Sequence, residues 1–286
     1  MLSFKIKSYA KINLALNVVG KKKKLHKIES LISFIDLHDL ISLKQINKKN
    51  HIIIFKGKFS KNIGKINTVT NLLQLLDKKN LLNNRKFNIK IVKNIPQESG
   101  MGGGSMNAAS LINFFINQKI LKITKNELKK LTNQIGSDVI LGIKPTDTIL
   151  LHNGDIKKYN NNVKFYTLIV KPSFGCSTKY IYSKVRFFSK SQFSPPNQKM
   201  FEVEYLKNLN NDLEKIAFKK YPKLKTIKFF LLNTSNNTFV RMSGSGSSIV
   251  AYFRSKSACS NAYGQFKRKF SSHWCITSKT IYFFFL

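Results

Sequence analysis

Arginine is scarce in this chain. Of its 50 basic side chains only Arg85, Arg186, Arg241, Arg254 and Arg268 are arginine. Proteins that read DNA or RNA sequence lean on the bidentate arginine fork, so the scarcity argues against a dedicated nucleic-acid reader. Acidic residues are scarcer still, 13 against those 50, which leaves a formal net charge of +37 at pH 7. The excess is nearly all lysine and is spread along the chain. Lys, Asn, Ile and Phe, all with codons made largely of A and U, are abundant together, so compositional drift explains the basicity at least as well as a polyanion partner. Cysteine is nearly absent: Cys176, Cys259 and Cys275 lack zinc-ligand or redox spacing and are too few for a disulfide framework. They are expected to be buried in a protein of a reducing compartment, the cytoplasm. No apolar run approaches the roughly 18 residues of a membrane span. Lys5, Lys7 and Lys11 interrupt the N-terminal stretch as no secretory signal would allow.

What is present suffices for a large core: 286 residues, 42% of them hydrophobic, enough for one large domain or two ordinary ones. The early segment "AKINLALNVV" alternates, with Ile12, Leu14, Leu16 and Val18 on one face and Lys11, Asn13, Ala15 and Asn17 on the other. It reads as a strand whose second face offers a lysine and two amides. "KKKK" at 21–24 reads as a solvated loop, and "ESLISFIDLHDLISLK" as further strand. Val69, Leu72, Leu73 and Leu76 have helical spacing. Phe87, Ile89 and Ile91 mark a strand that runs into a glycine-rich turn, after which Ala108, Leu111, Ile112 and Phe115 resume the helical period. A second helix follows through Leu128, Leu131 and Ile135, closed by "GSD" at 136–138. A hairpin through Asn153-Gly154 leads to the Asn-rich patch 160–162, taken as a domain boundary. Beyond it come strands in "FYTLIV" and "SSIVAYF", the polar loop "SKSQFSPPNQ", and helical stretches near 204–219 and 255–270. Strands and helices mixed in both halves indicate α+β architecture.

The glycine turn is "NIPQESGMGGGSMNAASLINFF", residues 94–115. A helix start presents unpaired N–H groups and the positive end of its dipole, a natural seat for an anion. Glycines ahead of it let the backbone close on phosphate oxygens, and Ser105 can cap the helix or donate its hydroxyl to the same anion. There is no Gly-Lys-Ser/Thr, and no Gly-x-Gly-x-x-Gly in a βαβ setting, so neither familiar nucleotide template applies.

"PQESGMGGGSMNAA" resembles the Pro-x-x-x-Gly-Leu-Gly-Gly-Gly-Ser-Ser-Asn-Ala signature of the GHMP kinases. "IGSDV" at 135–139 and "MSGSGSSIVAYF" at 242–253 are similar to two further motifs of that family, in the same order. The opening "YAKINLALNVVGKKKKLHKIESLISFIDLHDLI" is similar to the branch whose acceptor alcohol carries a cytidine diphosphate. Together the matches run from residue 9 to about 253. The resemblance implies a two-domain α+β GHMP kinase fold. An ATP-binding, ribosomal-protein-S5-like N-terminal domain would cover 1–158, and a ferredoxin-like C-terminal domain 159–286.

It also implies residue roles. The triphosphate of ATP would sit on Pro96, Gln97, Glu98, Ser99, Gly100, Met101, Gly102, Gly103, Gly104, Ser105, Met106 and Asn107, with Asn107 supporting the turn. Lys11 would lie beside the substrate hydroxyl, and Asp138 would accept its proton as oxygen attacks the γ-phosphorus. Phosphoryl transfer asks mainly for positioning and charge stabilisation, with a carboxylate to orient the nucleophile. Asn13, His26, Thr178 and Tyr182 would contact the substrate, His26 and Tyr182 at the cytosine. Mg²⁺ is implied with ATP, but no protein ligand for a metal is named. The partner implied is a small molecule carrying a cytidine diphosphate, with no nucleic acid and no membrane, on a monomer or homodimer.

Some positions depart from the family pattern. Leu25 stands where a stacking tyrosine is usual, Met106 where a second serine is common, and Ile140 where a proline is common. Gln97-Glu98-Ser99 replaces small residues; Glu98 could help hold magnesium or face solvent, and solvent is favoured. Two alternatives stay open on the residues: a GHMP kinase for another small alcohol such as homoserine or mevalonate, and a basic nucleic-acid-binding protein on a degenerate kinase scaffold.

Overall fold

The computed structural model describes residues 3–23, 25–160 and 163–281. It divides into two compact units. One holds the stretch up to Lys11 together with Leu37–Gln97 and Gly102–Pro145; the other holds Ile12–Asp36, Glu98–Met101 and the chain from Thr146. The long strands β1 (Ser3–Lys22) and β2 (Leu25–Ile46) pair with each other and are shared between the units.

In the first unit, β3 (Ile52–Lys56) runs parallel to β4 (Lys86–Val92), and β4 runs antiparallel to β2 from Leu40↔Val92 to Ile46↔Lys86. Helix α1 (Thr68–Lys78) opens on a capping box in which Asn67 and Thr70 satisfy each other's backbone N–H. It buries Val69, Leu72, Leu73 and Leu76, each worth about 1.5–3 kcal/mol. Helix α2 (Gly103–Asn117) contributes Ala108, Leu111, Ile112 and Phe115 to the same core, where Ile41, Leu43, Ile89 and Ile91 of the strands meet them. Helix α3 (Lys125–Ile135), opened by a Thr124–Glu127 capping box, adds Leu131 and Ile135, and a 3₁₀ turn follows at Val139–Gly142.

In the second unit, β5 (Asp147–Leu150) pairs with β2 and, through the Asn153-Gly154 turn, with β6 (Ile156–Tyr159). A four-stranded antiparallel sheet has the order β10-β7-β9-β8, with β7 Tyr166–Lys171, β8 Asn237–Met242, β9 Ile249–Phe253 and β10 Trp274–Lys279. Its helices are α4 (Thr178–Ser183), α5 (Val203–Lys207), α6 (Leu213–Lys220), α7 (Pro222–Leu232) and α8 (Lys256–Lys269). The core joins Leu168, Val170, Ile249 and Ala251 of the sheet to Leu213, Leu224, Ile227 and Phe266 of the helices.

Several expectations need correction. On the second face of β1, Lys11, Asn13, Ala15 and Asn17 are buried, the Asn13 amide donating to Ser30 and the Asn17 amide to Gln192. Lys21 and Lys22 prolong β1 rather than loop, and Lys24 lies outside the described residues. The stretch near 204–219 is two short helices, α5 and α6, parted at 208–212. Strands β3, β8 and β10 and helices α4 and α7 went unread. Asn161 and Asn162 of the expected boundary lie outside the described residues. None of the described helices is long and apolar enough to cross a membrane.

Candidate active site

In the first unit, the approach to the glycine turn is fixed by a buried carboxylate. Asp39 of β2 accepts the backbone N–H of Asn94 at 2.7 Å and of Ile95 at 2.9 Å, and pairs with the Lys93 ammonium. Removing a carboxylate from water is costly unless such partners satisfy it. Pro96 follows, buried, and the Gln97 amide donates to the carbonyls of Phe59 and Lys61.

Gly102 is the N-cap of α2. Its φ of +68° is left-handed, and no side chain caps the helix there. Ser105 is the third helical residue and not the cap, which corrects the capping role expected for it. Gly103 and Gly104 thus bring bare backbone to the helix start. Gly103 is so close to Lys93 that a Cβ would lie 3.2 Å from its Nζ, which brings the Lys93–Asp39 pair against the helix start. Gly104 accepts the Thr68 hydroxyl at 2.7 Å, tying α1 to α2. Met106 and Asn107 are buried under the turn, and among the described residues the Asn107 Oδ1 meets no donor.

Lys11 and Asp138 come together here. The Lys11 Nζ lies 3.4 Å from the Asp138 Oδ2, with side chains 6% and 37% exposed, so the carboxylate is the open member of the pair. The Lys11 stem crosses Gly102, where a Cβ would meet its Cγ at 3.1 Å. Asp138 precedes the 3₁₀ turn, which packs on α2 because Gly142 has no side chain: a Cβ there would stand 2.6 Å from that of Ala109. A carboxylate, an ammonium and an uncapped helix start therefore share one unit.

In the second unit, Glu98–Met101 lace against the loop Ser243–Ser248. Ser247 and Ser248 donate their N–H to the carbonyls of Glu98 and Ser99, each at 3.2 Å. Gly100, at φ +73°, sits where a Cβ would fall 1.9 Å from the Ser243 carbonyl oxygen. The Ser243 hydroxyl reaches the Gly100 carbonyl at 3.0 Å and takes the Asn13 N–H at 3.2 Å. The Asn13 amide itself donates to Ser30 at 2.8 Å. Met101 and Ser99 are buried and Glu98 is exposed.

His26 and Tyr182 meet with ring centroids 5.2 Å apart. Desolvation, and then the charge of Lys21, hold the His26 imidazole below its ordinary range. It is therefore neutral at neutral pH and offers one donor and one acceptor nitrogen, the pairing needed to read a base edge. Thr178 opens α4 and shares a 2.8 Å hydrogen bond with Ser245. Leu25 is exposed.

All three cysteines are free and buried. Burial pushes their thiols up, those of Cys176 and Cys259 to about 11, which rules them out as nucleophiles at neutral pH. Among the described residues no group of three or more His, Cys, Asp or Glu side chains is arranged to hold a metal. Sequence reasoning missed Asp39, Lys93 and Ser243. Each acts through a partner at least 54 positions away, a pairing that local periodicity does not report.

A glycine-lined helix start and a Lys–Asp pair lie together in one unit, the arrangement that the likeness to the GHMP kinases implies. The sequence model described as the GHMP kinases N terminal domain matches residues 67–148. A 4-diphosphocytidyl-2-C-methyl-D-erythritol kinase of Pelagibacter ubique is 69% identical over 281 residues, covering 98% of this chain and 100% of that protein. One from Clostridium botulinum is 32% identical, covering 92% and 96%. Among solved structures, a 4-(cytidine 5'-diphospho)-2C-methyl-D-erythritol kinase superposes with a TM-score of 0.78 at 21% identity, over 96% of this chain and 99% of that one. A homoserine kinase from Cytophaga hutchinsonii gives 0.73 at 16% identity, over 98% and 95%; such distant likenesses show the fold. The chain belongs to the 4-diphosphocytidyl-2-C-methyl-D-erythritol kinase family.

Proposed function

We propose that the chain transfers the γ-phosphoryl group of ATP to the 2-hydroxyl of 4-diphosphocytidyl-2-C-methyl-D-erythritol, in the methylerythritol phosphate route to isoprenoids. The observation that carries the chemistry is the Lys11–Asp138 pair in the unit that holds the uncapped, glycine-lined start of α2. In this reading the polyphosphate rests on the main-chain N–H groups at Gly103–Ser105. The half-exposed Asp138 carboxylate takes the proton of the acceptor hydroxyl as its oxygen bonds to the γ-phosphorus. The bond from that phosphorus to the β,γ-bridging oxygen breaks, and ADP leaves. Lys11 steers the carboxylate and balances charge on the moving phosphoryl group. Neutral His26, with Tyr182, reads the cytosine, while Asn13 and Thr178 supply polar contacts.

Mg²⁺ is part of this proposal. Among the described residues no group of three or more His, Cys, Asp or Glu side chains forms a cage, which suits an ion held mainly by water and substrate phosphates. The ion would spread the charge of the β- and γ-phosphates.

The rival small alcohols separate on substrate choice. With ATP and magnesium, the cytidine-diphosphate alcohol should yield ADP and a new phosphate monoester at carbon 2, seen by ³¹P NMR. Homoserine and mevalonate should turn over at least about 10³-fold less well, since the groups that would bind cytidine gain nothing from them. Comparable turnover of either would overturn the substrate assignment.

A further inference from the structure

Gly103, the first residue of α2, rests on two particular neighbours. A Cβ there would stand 3.0 Å from the Ile95 Cγ2 and 3.2 Å from the Lys93 Nζ. The Gly103 backbone is not left-handed, so the missing side chain serves close approach and not conformation.

Both neighbours are held by one side chain. Asp39 of β2 takes the Asn94 N–H at 2.7 Å and the Ile95 N–H at 2.9 Å on its Oδ1, and pairs through its Oδ2 with the Lys93 ammonium. One oxygen thus fixes the backbone at 94–95, and the other fixes the Lys93 side chain. Lys93 is also tied from β3, its N–H donating to the Lys56 carbonyl at 2.7 Å, and the Asn94 amide reaches back to the His38 carbonyl at 3.0 Å. The segment 93–95 is thereby pinned to β2 and β3 on one side and carries the first residue of α2 on the other. Asp39 is fully buried, so it acts on a ligand only through Lys93 and Ile95. All of these groups belong to the first unit.

We propose that Asp39 is a positioning residue for ATP: by gripping Lys93 and Ile95 it sets the height of Gly103, and with it the aim of the main-chain N–H groups at the start of α2. This deepens the kinase reading above and rests on it.

The test is steady-state kinetics on the full chain, with ATP and the cytidine-diphosphate alcohol varied separately. Asp39→Asn keeps the shape of the side chain and an oxygen for the two N–H groups, but gives up the charge that holds Lys93. It should raise the KM for ATP about tenfold and leave that for the alcohol within about twofold, because only the phosphate seat is displaced. Adding Lys93→Gln puts two amides in place of the ion pair, so that a hydrogen bond can link positions 39 and 93 again. The double variant should return the KM for ATP to within about threefold of wild type.

An Asp39→Asn variant that melts earlier but keeps its KM for ATP would make Asp39 a brace of the fold alone, and would overturn the proposal. KM values that rise alike for both substrates would mean a general loosening and overturn it as well. A double variant as impaired as Asp39→Asn would show that the Lys93 ammonium serves ATP directly and not by way of Gly103, again overturning it. If Asp39→Asn does not fold, Ile95→Ala decides. It removes the methyl group on which Gly103 rests, leaves both charges in place and should raise the KM for ATP about threefold; an unchanged KM contradicts the proposal. Wild type that fails to consume ATP would instead sink the kinase reading, so the two failures are distinguishable.

Discussion

Gly100 and Gly102 share the left-handed backbone that L side chains enter at a cost of about 1–2 kcal/mol, but their neighbours differ. At Gly100 a new Cβ would fall 1.9 Å from a backbone carbonyl that cannot yield without moving the Ser243 loop. At Gly102 it would meet the flexible stem of Lys11 at 3.1–3.2 Å. Gly100→Ala should therefore lose more stability in urea unfolding than Gly102→Ala, which should lose about 1–2 kcal/mol. Gly102→Ala should show its larger effect on kcat, because it displaces the lysine paired with Asp138. Equal losses of stability would contradict this reading of the loop. The glycines stood out in the sequence because four of them fall within five positions, each losing extra conformational entropy when ordered. The N-cap did not: Ser105 has the right chemistry for a cap, but the left-handed turn at Gly102 starts the helix three residues earlier.

At the scale of elements, a single buried acid ties the polar loop after α4 to β2. The Glu29 carboxylate is fully buried and accepts the Ser191 hydroxyl at 2.6 Å, the Gln192 N–H at 2.9 Å and the Phe193 N–H at 3.3 Å, with His152 at 2.9 Å. Desolvation raises its pKa, but the bonds from Ser191, Gln192, His152 and Phe193 outweigh it, and the net shift is downward from 4.5. A carboxyl depressed in the folded state contributes stability above its unfolded pKa and loses it as pH falls through the folded one. Thermal stability should therefore drop below about pH 4.5. Glu29→Gln should be about 1–3 kcal/mol less stable at pH 7 and should show a shallower acid decline. An acid limb of undiminished steepness in the variant would remove Glu29 from the account.

Elements with strong local signals were legible. The strand, glycine turn and helix of β4 and α2 read directly from period two, then glycine, then helical spacing. Helices α1 and α3 were found from apolar spacing alone. Strand β3, five residues long with mixed exposure, has too little alternation to register, and β10 is read only through its pairing with β7. In α7 the apolar residues crowd several faces, Phe229 and Leu232 being exposed, which blurs its stripe.

The molecule as a whole carries +37 at pH 7, and charges of one sign repel over roughly 8 Å at physiological salt. The midpoint of thermal unfolding should rise as sodium chloride goes from about 0.02 to about 0.5 M. A flat or falling midpoint would show that the lysines are spaced widely enough to cost nothing. The composition gave no hint of the acceptor; the ordered motifs did. Lys11 among 45 lysines has no local signal of its own, and its pairing with Asp138 is a contact between residues 127 positions apart.

That pairing is the central claim, and the turnover of Asp138→Asn tests it most directly. With ATP, magnesium and the cytidine-diphosphate alcohol, kcat should fall about 10²–10⁴-fold. The ATP dissociation constant should stay within about threefold of wild type. Turnover at the wild-type rate would contradict the account.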